Sequence, residues 1–403
     1  MNFLDIAERL SRIDRSAVAF ESSRCLHELS KYSKCEACYE ICPVDAIQPG
    51  KPPAFDEEAC ESCLACLSIC PTGAYKATDA VPALMNCAAR TDAKTVELVC
   101  ALHPSAETGG AETNLGIQIR SCLAGLGTGA YLILTAVGVE QVITRIDACA
   151  QCPWGSLVSQ IEKQVKQAQK MLAPWDLTEA IKTLPSEETT NLVERPLWDA
   201  DNPPLSRRDL FRMASRQGQL AAARVLMEDK GTTPKSPSHD RKRSLNALKH
   251  FSLQEFGNGK FPLEGFDCAK ISVSEDCTAC GVCARTCPTG ALQFIVDAEI
   301  KYQLKFSLGM CVDCEICVPI CAVNAISISH DPTFEELLKP KDEYIVLQEG
   351  ELVECDRCRT LIAKRPGTNL CPMCEHRLKH PFGSTLPPGM NLQDIDLQHK
   401  RES

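Results

Sequence analysis

The stretch that decides the fold is Cys277-Thr-Ala-Cys280-Gly-Val-Cys283-Ala-Arg-Thr-Cys287-Pro288, which a second run, Cys311-Val-Asp-Cys314-Glu-Ile-Cys317-Val-Pro-Ile-Cys321, follows. Paired C-x2-C-x2-C-x3-C runs hold two [4Fe–4S] clusters, and the last Cys of each run ligates the other cluster. The spacing predicts one cluster on Cys277, Cys280, Cys283 and Cys321, and another on Cys311, Cys314, Cys317 and Cys287. Zinc is the alternative, but zinc sites close with four ligands rather than with eight interleaved ones.

An incomplete copy of this pattern lies about 240 residues earlier in the chain. It reads Cys35-x2-Cys38-x3-Cys42-Pro43, then Cys60-x2-Cys63-x2-Cys66-x3-Cys70-Pro71. One predicted cluster has the complete ligand set Cys60, Cys63, Cys66 and Cys42. The other has Cys35, Cys38 and Cys70, because Tyr32 stands where a further Cys belongs. We expect Cys25 to supply the fourth ligand. The alternative is a [3Fe–4S] cluster with an empty fourth position, and Cys25 would then be an ordinary buried thiol.

Both copies resemble the dicluster bacterial-type ferredoxin family. The residues that carry the resemblance are Cys42-Pro-Val-Asp-Ala-Ile47, Cys70-Pro-Thr-Gly-Ala74 and Cys287-Pro-Thr-Gly-Ala291. Ala322, in place of Pro after Cys321, is a small departure. The resemblance covers about residues 25–80 and 265–330. It implies a small α+β fold of short hairpins and helices around two clusters, which passes one electron at a time.

Residues 81–175 have a different pattern, in which strand-like apolar runs alternate with helical stretches, as in an α/β domain with a parallel sheet. The predicted strands are Thr95–Val99, Gly116–Arg120 and Gln141–Ile146, and the predicted helices are Leu123–Gly138 and Leu157–Leu172. Cysteines follow the three strands: Cys100, Cys122, and the pair Cys149 and Cys152. Ligands bind beyond the carboxyl ends of parallel strands, so these four Cys predict a metal pocket at one sheet edge.

The order of these four Cys is similar to that in the delta subunit of methyl-viologen-reducing hydrogenase. That resemblance implies a [2Fe–2S] cluster and a link between a hydrogenase and a heterodisulfide reductase. The sequence Cys149-Ala-Gln-Cys152-Pro-Trp154 departs from that family's motif. Another metal, or four structural thiols in a core, are the alternatives.

A last group of cysteines lies near the end of the sequence. Cys355-x2-Cys358 and Cys371-x2-Cys374 have the spacing of a zinc ribbon, in which four thiolates stabilise a segment too short for its own core. A single rubredoxin-like iron is the alternative, since it accepts the same four sulfurs. Cys87 and Cys268 remain as predicted non-ligands.

The predicted fold class is two α+β ferredoxin modules with an intervening α/β parallel-sheet domain and a small zinc-ribbon-like knuckle. With 26 Cys but only 3 Trp among 403 residues, metal bonds take the place of much aromatic core. The expected domains are an N-terminal module 1–80, an α/β domain 81–175, a linker with helical content 176–261, a C-terminal module 262–335, a ribbon 345–385 and a tail 386–403.

Charge and hydropathy limit the partners and the compartment. A net charge of −10 argues against nucleic acid as the main partner. The first residues lack the pattern of a secretory signal, and no apolar run reaches the roughly 20 residues of a transmembrane helix. We therefore expect a cytoplasmic protein whose closely spaced Cys bind metals or clusters.

The predicted function is an iron–sulfur subunit that relays single electrons within or to a larger anaerobic oxidoreductase. Its partners would be redox proteins, among them a catalytic subunit. No dinucleotide-binding Gly motif or HExxH motif is found, so no catalytic residue is predicted. One alternative is a redox enzyme with a reactive cluster near Cys149, Cys152 and Trp154; another is a redox sensor or scaffold that binds partners through its basic linker.

Overall fold

The computed structural model describes residues 18–185, 191–204, 235–253, 262–338 and 344–380. These residues form two compact units. The first contains 18–28, the described parts of 34–266, and 333–338; the second contains 29–33, 267–332 and 344–380. The expected tail 386–403 and the linker residues 205–234 lie outside the described residues.

Seventeen short strands and ten α-helices make up the described chain. The strands are β1 Ala19–Phe20, β2 Ile47–Gln48, β3 Ala54–Phe55, β4 Tyr75–Lys76, β5 Thr95–Val99, β6 Thr108–Gly109, β7 Leu115–Gln118, β8 Gln141–Arg145, β9 Ile181–Leu184, β10 Val193–Glu194, β11 Leu197–Asp199, β12 Lys270–Val273, β13 Leu292–Val296, β14 Lys301–Phe306, β15 Ile326–Ser329, β16 Ile345–Glu354 and β17 Leu361–Ala363. The helices are α1 Leu26–Leu29, α2 Ala37–Ile41, α3 Ala65–Ile69, α4 Ala80–Ala88, α5 Thr128–Ala136, α6 Val158–Leu172, α7 His239–Phe251, α8 Val282–Thr286, α9 Phe334–Leu337 and α10 Pro372–Lys379. In the part of the chain that the structure describes, none of these helices combines the length and the apolar character needed to cross a membrane.

The two Cys-rich repeats have the same strand connectivity. In the first repeat the outer strands β1 and β4 pair antiparallel around the hairpin β2–β3. In the second, β12 pairs with β15 in the same way, and β13–β14 is the inner hairpin. Each repeat is therefore a small α+β module, as the resemblance to the ferredoxin family implies.

A five-stranded sheet, in the order β11-β7-β5-β8-β9, forms the centre of the first unit. All neighbouring strands in it are parallel, which confirms the predicted sheet. Val96, Leu98, Ile117 and Val142 have no exposed surface, as is expected of strands covered on both faces. The parallel arrangement brings the carboxyl ends of β5, β7 and β8 to one edge.

Both outer strands of this sheet come from the segment that the sequence indicates to be a linker. Ile181 in β9 lies opposite Val142 in β8, and Trp198 in β11 lies opposite Ile117 in β7. Strands of four and three residues are too short to show a clear hydrophobic period. Only their pairing with strands that are distant in sequence defines them, so the α/β domain extends beyond its expected end at residue 175.

The predicted helix Leu123–Gly138 is interrupted near its start. A 3₁₀ turn, Leu123–Gly125, precedes α5, and Gly127 between them has a φ of 79°. The Asp240 carboxylate on α7 accepts a hydrogen bond of 2.8 Å from the Gly129 N–H at the start of α5. A Cβ at Gly127 would collide with that carboxylate. Glycine is therefore required where α7 covers α5.

In the second unit, the module and the Cys-rich end of the chain share one sheet with the order β13-β14-β16-β17. Strand β16 pairs with β14 on one side and with β17 on the other. Tyr302, Leu352 and Ala363 pack together with Ala279 in one apolar cluster. The expected module 262–335 and ribbon 345–385 are thus joined by continuous backbone pairing.

Candidate metal centres

Eight Cys of the C-terminal module line two cavities, four to each. A cavity of about 290 Å³ is lined by Cys277, Cys280, Cys283 and Cys321. A smaller one, of about 30 Å³, is lined by Cys287, Cys311, Cys314 and Cys317. In each cavity three Cys of the module come from one run and the fourth comes from the other; Cys371, outside the module, also lines the larger cavity. The structure therefore brings together the two quartets that the spacing predicts.

Two thiols in these cavities, those of Cys283 and Cys314, are poor acids. Burial raises the pKa of Cys283 to about 12, and negative charge on Cys280, Cys277 and Cys321 contributes. Burial likewise raises the pKa of Cys314 to about 12, with charge on Cys287 and Cys311 adding to the effect. Four clustered thiolates are stable only beside positive charge, since each disfavours ionisation of the others. Iron supplies that charge, so the donor set fits an iron–sulfur cluster.

The backbone around the Cys runs repeats as closely as the sequence does. In each complete C-x2-C-x2-C loop, the residues on both sides of the middle Cys have positive φ: Ser62, Leu64, Ala279, Gly281, Asp313 and Glu315. A positive φ also occurs three residues after the last Cys of all four runs: Asp45, Gly73, Gly290 and Asn324. Five of the six loop residues and two of the four turn residues are not glycine. Such strained conformations cluster at functional sites.

These turns aim backbone N–H groups at cysteine sulfurs. The Ala74 N–H donates to Cys70 Sγ and the Ala325 N–H donates to Cys321 Sγ, each at 3.2 Å. The Leu292 N–H donates to Cys287 Sγ at 3.5 Å. Amide donors that converge on sulfur offset negative charge in a cluster site.

In the N-terminal module, the complete quartet is Cys42, Cys60, Cys63 and Cys66. Burial raises the pKa of Cys63 to about 12, and charge on Cys42 and Cys60 adds to the effect. Burial also raises the pKa of Cys66, as do Cys63 and Cys60 and, more weakly, Cys42. All four sulfurs are therefore electrostatic neighbours, as in the C-terminal module. We call this quartet the second N-terminal site.

The structure also places Cys25 beside Cys35, Cys38 and Cys70, and we call these four the first N-terminal site. Burial raises the pKa of Cys38 to about 11, and charge on Cys70, Cys35 and Cys25 contributes. Cys25 itself is 9% exposed. His27 Nε2 donates to the Cys35 carbonyl oxygen at 2.6 Å. This hydrogen bond joins the two ends of the turn that connects Cys25 to Cys35.

The first N-terminal site differs from the others in its loop. Helix α2 begins at Ala37, directly after Glu36, whose φ is −122°. Positive φ values do not occur between Cys35 and Cys42, although they flank the middle Cys of every complete loop. Tyr32, where the register would put a ligand, is 37% exposed. The chain thus reaches this quartet by a different route at the point where the sequence departs from the repeat.

The four Cys of the middle domain meet at the carboxyl edge of the sheet. Cys100 follows β5, Cys122 follows β7, and Cys149 and Cys152 follow β8. Burial raises the pKa of Cys149 to about 12, with added effects of charge on Cys100 and Cys152. Burial raises the pKa of Cys122 as well, and Cys100 contributes. We call these four residues the sheet-edge pocket; four neighbouring thiols there fit a thiolate-bound iron–sulfur cluster.

A buried ionic network beneath this pocket was not predicted. Glu97, in the middle of β5, accepts hydrogen bonds from Arg195 Nη2 at 2.6 Å and from Arg145 Nη1 at 3.2 Å. Arg145 Nε also donates to Asp147 Oδ1 at 2.7 Å, two residues before Cys149, and His103 Nε2 contacts the same oxygen at 3.1 Å. The sequence contains one indication of this network: Glu97 is an acidic residue within the mostly apolar strand β5.

The C-terminal quartet has a tighter geometry. The sulfurs of Cys355, Cys358, Cys371 and Cys374 all lie within 4.8 Å of one another, and those of Cys358 and Cys371 are 3.7 Å apart. A tetrahedral zinc with Zn–S bonds of about 2.3 Å needs sulfurs about 3.8 Å apart. Among the described residues, no other Cys quartet is this compact. The donor set fits one metal ion rather than a cluster.

Backbone amides favour the ionised form of one Cys in this quartet. The N–H groups of Cys358 and Cys371 lower the pKa of Cys355 to about 6. The Cys371 N–H lies 3.3 Å from Cys355 Sγ. A thiol with so low a pKa is largely ionised at neutral pH, and the thiolate is the form that binds metal.

Comparison with known families identifies part of these sites. The 4Fe-4S binding domain matches residues 53–76 and 272–293. The chain therefore carries two 4Fe–4S binding domains, one in each module. The first match contains the run Cys60 to Cys70 and the second the run Cys277 to Cys287. Neither match reaches the sheet-edge pocket or the C-terminal quartet.

A comparison with curated proteins finds no match to the chain. The two domains support an iron–sulfur electron-transfer role.

Proposed function

We propose that this protein relays single electrons through four [4Fe–4S] sites, as a non-catalytic subunit or dedicated partner of a larger oxidoreductase. The division of eight Cys between two cavities of the C-terminal module is the observation that carries this proposal. Interleaved ligands hold two clusters within one small module, which suits electron transfer between them. Bound clusters would supply the one-electron carriers.

The residues of the chain hold the sites and set their charge. Cys thiolates bind iron, and the amides of Ala74, Leu292 and Ala325 donate to ligand sulfurs. Such hydrogen bonds, together with burial, tune the reduction potential of a cluster. We propose Cys25 as the fourth ligand of the first N-terminal site because Cys25, Cys35, Cys38 and Cys70 are mutual electrostatic neighbours.

The two remaining quartets take different cofactors in this proposal. The sheet-edge pocket would hold a [2Fe–2S] cluster, in line with the resemblance of its Cys order to the hydrogenase delta subunit. The C-terminal quartet would hold structural zinc, because its sulfur spacing suits a single tetrahedral ion. Thiolate ligands in such number require a reducing compartment, so we infer that the protein works in the cytoplasm with a redox partner protein.

Metal analysis of the full chain, purified anaerobically, tests this proposal. Four cubes, one [2Fe–2S] cluster and one ribbon predict on the order of 16–18 iron atoms and about one zinc per chain. Dithionite reduction should produce EPR signals of reduced clusters. An iron content near eight, counted at four per cube, would contradict the two-module assignment.

A further inference from the structure

The first unit contains a direct contact between the sheet-edge pocket and the N-terminal module. The turn after Cys122 meets the loop between Cys60 and Cys66. A Cβ at Gly125 would lie 2.8 Å from Leu64 Cβ and 3.3 Å from the Cys63 carbonyl oxygen. Only glycine allows the two backbones to approach this closely. The contact therefore involves the ligand loop of the second N-terminal site itself.

A hydrogen-bond network fixes the same contact. Ser68 Oγ donates to the Ala124 carbonyl oxygen at 2.7 Å. Gln164 Nε2, on α6, donates to that oxygen at 2.8 Å and to Ser68 Oγ at 3.1 Å. Gln164 is 2% exposed. Buried N–H donors are costly to leave unpaired, so these two bonds from Gln164 Nε2 hold the two sides in one register.

Trp154 makes a second bridge from the other end of the pocket. Its backbone N–H donates to Cys152 Sγ at 3.4 Å, while its indole Nε1–H donates to Glu61 Oε2 at 2.6 Å. Glu61 directly follows Cys60, and Trp154 is 3% exposed. Trp154 thus contacts a Cys of the pocket through its backbone and the ligand loop of the module through its side chain.

We propose that the sheet-edge pocket and the second N-terminal site are an electron-exchange pair, with Trp154 and Gln164 as residues that position the two sites. This rests on the proposed function. One electron lost at either site is gained by the other, no bond forms or breaks, and a one-electron reductant supplies the electron. The rate of electron tunnelling falls steeply with separation, so contact between ligand loops favours this pairing.

The pairing sets an order within the first unit. Cys66, a member of the second N-terminal site, lies on α3, and Cys70, a member of the first, directly follows that helix; both belong to one buried cluster. The second site therefore adjoins both the pocket and the first site. An electron that enters at the pocket reaches the site with Cys25 last.

Magnetic coupling in the full-length, anaerobically reconstituted protein tests the pairing. In the dithionite-reduced protein, spins at neighbouring sites should broaden the EPR signal of the pocket and speed its relaxation. Replacing Cys60 and Cys66 by Ala, which removes the second site, should lower the half-saturation power of the pocket signal several-fold. Replacing Cys35 and Cys38 by Ala should change it less. A larger effect from the first site would overturn the proposed order.

Variants that keep every Cys separate positioning from folding. Glu61→Ala and Gln164→Leu should weaken the coupling while the iron content stays at the parent level. Glu61→Gln, which retains an oxygen acceptor for the indole N–H, should restore it. Gln169→Leu is the matched control, since Gln169 on the same helix donates to the Ile181 carbonyl oxygen at 2.7 Å, away from the contact.

The outcomes also distinguish this inference from the proposed function. Coupling that is unchanged in both Glu61→Ala and Gln164→Leu contradicts the positioning roles. A pocket without a paramagnetic signal, in a protein whose other clusters are reduced normally, overturns the exchange pair and leaves the electron-transfer proposal intact. A chain with no reducible iron overturns both.

Discussion

Replacement of Cys25 tests the one cluster ligand that the repeat does not supply. Cys25→Ser puts a weaker oxygen ligand in the first N-terminal site, so the iron it binds should become labile. We expect the oxidised variant to lose about one iron of the four in that cube. It should also gain a [3Fe–4S] EPR signal near g of about 2 that the parent lacks.

Substitution of His27 should weaken the binding of Cys25 to iron by an amount smaller than its complete loss in Cys25→Ser. Its hydrogen bond to the Cys35 carbonyl oxygen, 2.6 Å long, closes the chain that presents Cys25. Such a bond contributes about 0.5–1.5 kcal/mol net. At about 1.4 kcal/mol per factor of ten, His27→Ala should shift the balance between bound and released Cys25 by roughly 2- to 12-fold. His27→Gln keeps an N–H donor and should fall between the parent and His27→Ala.

The assay follows the [3Fe–4S] signal during timed oxidation with ferricyanide, together with iron content. The initial rate of signal growth should rise from parent to His27→Ala, and the signal should be maximal at the outset in Cys25→Ser. Tyr32→Phe is the control, because Tyr32 occupies the empty ligand position of the repeat and should bind no iron. A parent that already shows the full signal, unchanged by Cys25→Ser, would refute the assignment of Cys25 as a ligand.

Three further predictions concern stability and metal binding. Gly281→Ala should destabilise the C-terminal module by about 2–4 kcal/mol, because its φ is 66° and the new Cβ would lie 2.9 Å from Phe294 Cδ1; anaerobic thermal melting measures this. Glu97→Ala should cost about 3–5 kcal/mol in the first unit, since it leaves buried Arg195 without its carboxylate partner. Burial raises the pKa of the Glu97 carboxyl, but hydrogen bonds from the Gly110 N–H and Arg195 outweigh burial, so the folded-state pKa is lowered. The stabilisation should therefore be present above about pH 4.5 and be lost as the pH falls through the folded-state pKa. Zinc binding to the metal-free quartet at pH 7 should release fewer than four protons because the pKa of Cys355 is already about 6, and calorimetry in two buffers counts them.

Matched variants decide whether those effects have the stated causes. Gly367 has a φ of 82°, but no atom lies within 4 Å of the place where a Cβ would stand, so Gly367→Ala should cost only the backbone strain of about 1–2 kcal/mol. Glu140 forms an exposed ion pair with Lys94, and Glu140→Gln should change stability by less than about 1 kcal/mol. Equal losses within either pair would contradict the steric or the buried-charge explanation. Release of four or more protons on zinc binding would contradict the ionised state of Cys355.

Local spacing was enough to predict the features that depend on neighbouring residues. A C-x2-C-x2-C run predicts its own loop, because three Cys with only two residues between neighbours must share one cavity, and the structure groups the eight C-terminal Cys accordingly. Apolar runs likewise predicted β5, β7 and β8, and the rule for parallel strands brought their Cys to one edge.

Tertiary structure decided whatever depends on partners far away in the chain. Cys25 is brought to its quartet by a turn that one histidine closes, and no register in the sequence encodes that turn. The outer strands β9 and β11 exist through hydrogen bonds to β8 and β7, and their three or four residues carry too little periodicity to be read alone. The same holds for the contact of Gly125 with Leu64: a glycine shows that space is needed, but only the fold shows which ligand loop fills it.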